Sequence, residues 1–275
     1  VVSVGRIAIG IEYDGRAYCG WQQQDDAPSV QESLERALSR VADSPVALTA
    51  AGRTDAGVHA RIQIAHFDTP SVRSSRAWVL GSNTYLPADI SLRWARPVEA
   101  HFHARFAALS RTYRYLILNR VARSALAAGR ALCVHRPLDA ARMQEAALHL
   151  IGQHDFSAFR AAACQARSPV RRLEQLAVKR AGDWLTVEVT ANAFLHHMVR
   201  NIVGLLIAVG LGDAPPEQAL RQLESRQRST GEATAAAHGL YLWQIRYPLA
   251  FGLPEAEPDD SAIIGGLNGS RASDG

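Results

Sequence analysis

The sequence predicts an α+β protein in two parts, with mixed, largely antiparallel sheets flanked by helices. Strand-like stretches with alternating side chains often arrive in hairpin order, as around Ala181-Gly182-Asp183. Amphipathic helical stretches are mixed with them in both halves. No tight internal repeat is visible. Together these favour an α+β class over a doubly wound sheet.

Each element has its own signal. Ile7, Ile9, Ile11 and Tyr13 share one face of a strand over 6–13, which ends at Asp14-Gly15-Arg16. Ser29 and Glu32 form a capping box for a helix reaching about Val41, with Val30, Leu34, Ala37, Leu38 and Val41 on its stripe. A short strand is expected over 46–50, another around 62–67, a helix near 74–83 and a strand near 90–96. A second run starts near Phe102, with a strand over 109–118. Asp139 opens a helix to about Ile151. Strands over 171–179 and 184–191 form the hairpin. A long helix is expected from Leu195 to Val209, a shorter one over 216–225, and a last strand over 240–247. The boundary falls near 100–108, giving domains 1–105 and 106–250. Residues 253–275, rich in Gly, Pro, Ser and acid, read as a disordered tail.

Composition narrows the class. The chain has 275 residues, 48% of them apolar, enough for a sizeable core. Its net charge of +4 is uneven, because residues 253–275 hold five acids and one base. The remainder carries 29 bases against 21 acids, a balance that suits a polyanionic partner. Arg outnumbers Lys 29 to one. The Arg fork fits phosphates and base edges, although codon bias produces the same ratio. Cys19, Cys133 and Cys164 lack the spacing of a disulfide framework or a zinc site. A reducing, cytoplasmic location is expected. No window approaches 18 apolar residues and no secretory pattern opens the chain, so no membrane span is expected.

The segment Gly52-Arg53-Thr54-Asp55-Ala56-Gly57-Val58-His59-Ala60 is the strongest site candidate. Its glycines allow a sharp turn around the carboxylate. If extended, Arg53 and Asp55 point to one side, where the guanidinium would favour an ionised carboxylate. Such a group serves as nucleophile or base. Thr54 can brace the loop by a bond to backbone. A structural Asp-Gly turn with a surface ion pair is the alternative. Farther on, Tyr113 and Tyr115 alternate with Arg111 and Arg114, a pattern suited to stacking and phosphate contact and equally to a sheet core. Equal spacing does not say which Tyr faces a substrate. Arg200 sits in an apolar helix and needs a carboxylate partner. His103, His196, His197 and His238 lack metal-ligand spacing. On a helix, His196 and His197 would diverge by about 100°.

The Asp55 segment resembles the signature loop of the TruA family of tRNA pseudouridine synthases. Four further blocks match in family order: Tyr13-Asp14-Gly15 with Tyr18 and Gly20-Trp21-Gln22; Phe102 to Arg105 with Arg111 to Tyr115; Phe194 to Asn201; and His238 to Leu242. The likeness runs to about residue 248. It implies the two-domain pseudouridine synthase fold and isomerisation of uridine at positions 38, 39 and 40 of tRNA. It also implies a homodimer that uses no cofactor and no metal. Asp55 is then the catalytic aspartate, Tyr113 the stacking tyrosine, Arg200 the ion-pair partner of Asp55, and Leu240 the apolar residue against the target ring. Arg16, His59, Arg61, Arg105, Arg111 and Arg114 are candidate RNA contacts. One departure is the approach to Leu240, Thr234-Ala235-Ala236-Ala237-His238, which lacks the family's usual Pro. Two other classes compete: an RNA-binding module without activity, and a hydrolase of nucleosides or glycosides. The latter commonly needs two carboxylates, and the sequence offers one clear candidate.

Overall fold

The computed structural model describes residues 4–162, 164–227 and 233–254. The expected disordered tail lies outside the described residues from position 255 onward. The chain forms two compact units. The first runs to Thr112 and regains the chain at Tyr241; the second spans Tyr113–Leu240. The linear cut expected at 105/106 falls just before this division and does not include the return.

In the first unit, strands β1 (Gly5–Tyr13), β2 (Thr49–Ala50), β3 (His59–Thr69) and β4 (Ile90–Val98) accompany helices α1 (Val30–Ala42) and α2 (Ser75–Tyr85). β1 lies between β3 and β4, antiparallel to both, with Ile9 opposite Ala65 and Ala95. β2 pairs with β3 through Thr49–His66 and Ala50–Ala65. The strand expected over 46–50 is therefore only two residues long. Ser29 caps α1 by accepting the Glu32 N–H at 3.2 Å, the bond its position predicts. Val30, Leu34, Ala37 and Leu38 face inward. The returning part of β10 (Leu240–Arg246) runs parallel to β3, setting Tyr241 opposite His59 and Leu242 opposite Ala60.

The second unit takes most of β5 (Ser110–Asn119), with β6 (Leu132–Val134), β7 (Gly152–Asp155), β8 (Val170–Ala181) and β9 (Trp184–Ala191). Its strand order is β5-β9-β8-β7, with β6 parallel to β5. The predicted hairpin joins β8 and β9: Ala181 pairs with Trp184, and Gly182 has φ +58°, as a tight hairpin turn favours. Helices α3 (Ala140–Leu148), α4 (Met198–Gly210) and α5 (Gln218–Ser225) complete the unit. Asp139 caps α3 by accepting the Ala141 and Arg142 N–H groups. α4 starts at Met198 and not at Leu195, because His197 adopts a left-handed conformation, φ +62°, that ends helical geometry there.

Candidate active site

Asp55 lies in the loop between β2 and β3, and that loop is tied along its length. At its start, the Ala51 N–H donates to the Ile64 carbonyl at 2.7 Å. The Gly52 carbonyl accepts from Nε2 of Gln63 at 2.7 Å. Gln63 is fully buried on β3, a polar group in a strand core that this bond satisfies. In the middle, the Thr54 carbonyl accepts from the Trp21 N–H at 3.0 Å, and the Gly57 N–H donates to the Tyr18 carbonyl at 3.3 Å. The Val58 N–H closes a turn on the Asp55 carbonyl at 3.1 Å. Gly57, third in that turn, has φ +76°, where glycine is favoured. The Thr54 hydroxyl meets the Tyr13 hydroxyl at 2.7 Å in a buried pair. Its brace is thus a side chain on β1 and not the backbone bond expected from sequence. Asp55 is left half-buried between buried Thr54 and exposed Ala56.

The strip 13–21 reaches the loop because it carries glycines. A Cβ on Gly15 would overlap the Val58 carbonyl oxygen. Gly20 has φ +96°, and a Cβ there would stand 2.6 Å from the Thr54 carbonyl oxygen and 3.0 Å from the Asp55 carbonyl carbon. The strip is itself held by charge. Arg16 grips Asp14 through Nε at 2.9 Å and Nη2 at 2.7 Å. Burial pushes the Asp14 carboxyl up, but the side-chain and backbone N–H donors of Arg16 outweigh it and hold it well below the usual carboxylate range.

His59 joins strip to loop. Its ring is 2% exposed and stacks on Tyr241 with centroids 4.6 Å apart. Nδ1 lies 3.2 Å from both the Gly15 N–H and Oδ1 of Asp14. The Gly15 amide is a fixed donor, so a neutral ring protonated on Nε2 satisfies it. His59→Asn keeps an acceptor near the Nδ1 position, whereas His59→Gln carries its acceptor farther out. Leaving the buried amide unsatisfied costs about 1–3 kcal/mol. The Gln variant should therefore lower both melting temperature and turnover, by roughly tenfold in kcat, with the Asn variant within about threefold of wild type. Equal behaviour of the two in thermal melts and kinetics would remove this role.

Several expected RNA contacts are engaged inside the first unit. Arg61 is 8% exposed and its guanidinium lies 4.9 Å from the Trp243 ring. β3 and β10 thus pair His59 with Tyr241 and Arg61 with Trp243 on one face. Arg111 donates to the carbonyls of Ala51 at 2.9 Å and Arg105 at 2.7 Å. Arg16 and Arg105 are exposed. Arg53 is exposed and, among the described residues, makes no hydrogen bond or ion pair, including with Asp55.

In the second unit, Tyr113 and Tyr115 occupy alternate positions of β5. Tyr115 is wholly buried and its hydroxyl donates to the Ala236 carbonyl at 2.7 Å. Burial pushes its phenol up, against the charge of Arg200. Tyr113 meets Phe194 edge to face at 5.1 Å. Arg114 pairs with Glu188 at 2.5 Å. Arg200, in the first turn of α4, donates from Nε to the Ala235 carbonyl at 2.7 Å and accepts the Ala235 N–H at 3.1 Å. Asn201 accepts from the Thr234 hydroxyl and donates to the Phe159 carbonyl, both at 2.7 Å. These bonds strap down the approach to Leu240, which is buried. Ala236 sits at φ −58°, ψ 145°, which suits proline. Ala236→Pro should raise stability by about 0.4–1 kcal/mol through the unfolded state; a lower melting temperature would show that the segment needs its amide. His196 and His197 precede α4, and their ring centroids lie 4.1 Å apart. They do not diverge as a helix would require.

Sequence reasoning missed Gln63 and Asn201 as braces. A polar residue in an otherwise apolar run was the available signal for each.

An α+β chain that presents one carboxylate from a braced turn, with tyrosine and arginine in alternation on a strand, has the pattern of a pseudouridine synthase. The family model described as tRNA pseudouridine synthase matches residues 9–107 and 146–248. The chain is 55% identical over 248 residues to tRNA pseudouridine synthase A of Methylococcus capsulatus, covering 90% of this chain and 92% of that protein. The same-named protein of Thiobacillus denitrificans is 54% identical, with 91% and 96% covered. That of Pseudomonas aeruginosa is 53% identical, with 92% and 89% covered. The chain belongs to the TruA family of tRNA pseudouridine synthases, isomerases that convert uridine to pseudouridine in tRNA.

Proposed function

We propose that this chain isomerises uridine at positions 38, 39 and 40 of the tRNA anticodon stem-loop, with Asp55 as its catalytic carboxylate. The observation that carries the reading is the braced loop: on both sides of Asp55 its backbone is bonded to β3 and the 18–21 strip, and the Thr54 side chain to Tyr13 of β1. A preorganised group loses little freedom as it meets a reacting atom.

The reaction breaks the bond from C1′ to N1 and forms one from C1′ to C5. N1 gains a proton and C5 loses one, so all atoms of the uridine are retained and no redox carrier or metal is needed. A stacked base must first be extruded. Asp55 then either removes the 2′ proton, giving a glycal-like species, or attacks C1′ to form an acylal. The freed uracil turns to present C5, rebonds, and a general base takes the C5 proton. Tyr113, Leu240 and Arg200 keep the supporting roles that the family resemblance implies. A homodimer acting in the cytoplasm is part of the same proposal.

The test is tritium release from tRNA labelled at C5 of uridine. Release without free uracil supports isomerisation. Free uracil supports hydrolysis, and neither product supports a binding module.

A further inference from the structure

We propose that Phe106, stacked on His103 and flanked by Arg105, is a platform for an unpaired nucleobase of the tRNA, separate from the target uridine. The proposal rests on the tRNA substrate named above.

Phe106 is 77% exposed, whereas Phe102, one turn earlier in the segment, is fully buried. A lone exposed phenylalanine is ordinary on a protein surface. Phe106 differs in how it is held. Its ring lies 4.2 Å from the His103 ring at 30°. That histidine is itself fixed: Nδ1 accepts the N–H groups of Arg105 at 3.2 Å and Phe106 at 3.3 Å. It also meets the buried His66 ring edge to face, with centroids 5.0 Å apart. The Ala107 N–H closes the turn on the His103 carbonyl at 2.9 Å. Arg111 then staples the turn to the start of the Asp55 loop, by its bonds to the carbonyls of Arg105 and Ala51. Beyond its contacts with His103 and Arg105, the ring keeps most of its surface open.

The guanidinium of Arg105 stands 5.7 Å from the Phe106 centroid and is exposed. A rigid open ring beside a cation matches the two parts of a nucleotide, a flat base and a phosphate. Because the ring is already ordered, little freedom is lost on binding. The exposed cation of Arg105 next to the ring suits RNA over an apolar protein partner.

The experiment measures affinity of the full chain for unmodified tRNA at several salt concentrations, beside far-UV dichroism and sedimentation. Phe106→Ala and Phe106→Leu should each weaken binding by roughly 5- to 100-fold, since neither can stack. Phe106→Trp should stay within about twofold of wild type. The slope of log affinity against log salt should be unchanged in the Phe106 variants, because stacking releases no counterion. It should fall by about 0.7–0.9 in Arg105→Ala. Wild-type affinity in Phe106→Leu overturns the platform. So does an altered oligomeric state with unaltered RNA binding, which assigns the ring to a second copy of the chain. Failure of the wild-type protein to bind tRNA or to release tritium contradicts the underlying function instead, whatever the Phe106 variants do.

Discussion

Asp55→Asn should abolish tritium release from C5-labelled tRNA, by on the order of 10⁴-fold or more, with melting temperature and tRNA affinity close to wild type. The substitution keeps size and shape and removes only the negative oxygen. Neither route from N-glycoside to C-glycoside survives that loss, since an amide is a poor base and a poor nucleophile at neutral pH. Folding should be spared because the bonds that hold the loop are made by its backbone, by Thr54 with Tyr13, and by Gln63 with Gly52. Measuring release, thermal unfolding and filter binding on one preparation separates chemistry from folding. Near-normal turnover would take the carboxylate out of the mechanism.

Gly20→Ala should be severely damaging although it touches no reactive atom. Two costs combine. A Cβ at φ +96° is strained by about 1–2 kcal/mol. The same Cβ would press on the Thr54 carbonyl oxygen at 2.6 Å, where the obstacle is backbone and cannot rotate away. Relief requires the 18–21 strip to withdraw, which breaks the bonds from Trp21 to Thr54 and from Gly57 to Tyr18. A total loss of about 3 kcal/mol or more is expected. Turnover should fall by on the order of 100-fold, because a displacement near 1 Å costs about that much. Gly182→Ala is the internal control. Gly182 also has positive φ, +58°, but nothing lies within 4 Å of its Cβ position. It should lose only the conformational part of the stability and keep full turnover. Equal kinetic effects of the two substitutions would show that strain, and not contact with the Asp55 loop, is responsible.

The sequence was most legible where the signal is local. Ser29 and Asp139 cap helices as their positions foretell, and the Gly182 hairpin falls where the turn residues put it. The Asp55 segment was recognisable because glycines, hydroxyl and charge crowd nine residues. What stayed hidden depends on partners far along the chain. His59 and Arg61 read as candidate RNA contacts, yet Tyr241 and Trp243 pack against them from a strand some 180 residues later. Charge identifies a residue that can meet phosphate but not the direction it faces. Arg111 and Arg114 likewise spend donors on backbone carbonyls and on Glu188. The short strands β6 and β7 were missed because three or four residues give too little alternation to detect. The early start assigned to α4 failed at His197, whose positive φ no propensity foretells.

The most direct measurement is a map of pseudouridine at tRNA positions 38, 39 and 40 in a strain deleted for this gene, complemented with either the wild-type or the Asp55→Asn sequence. The wild-type gene should restore the modification and the variant, expressed to the same level, should restore none. Modification by the Asn variant, or its absence with the wild-type gene, would contradict the assignment of this chemistry to Asp55 and to this chain.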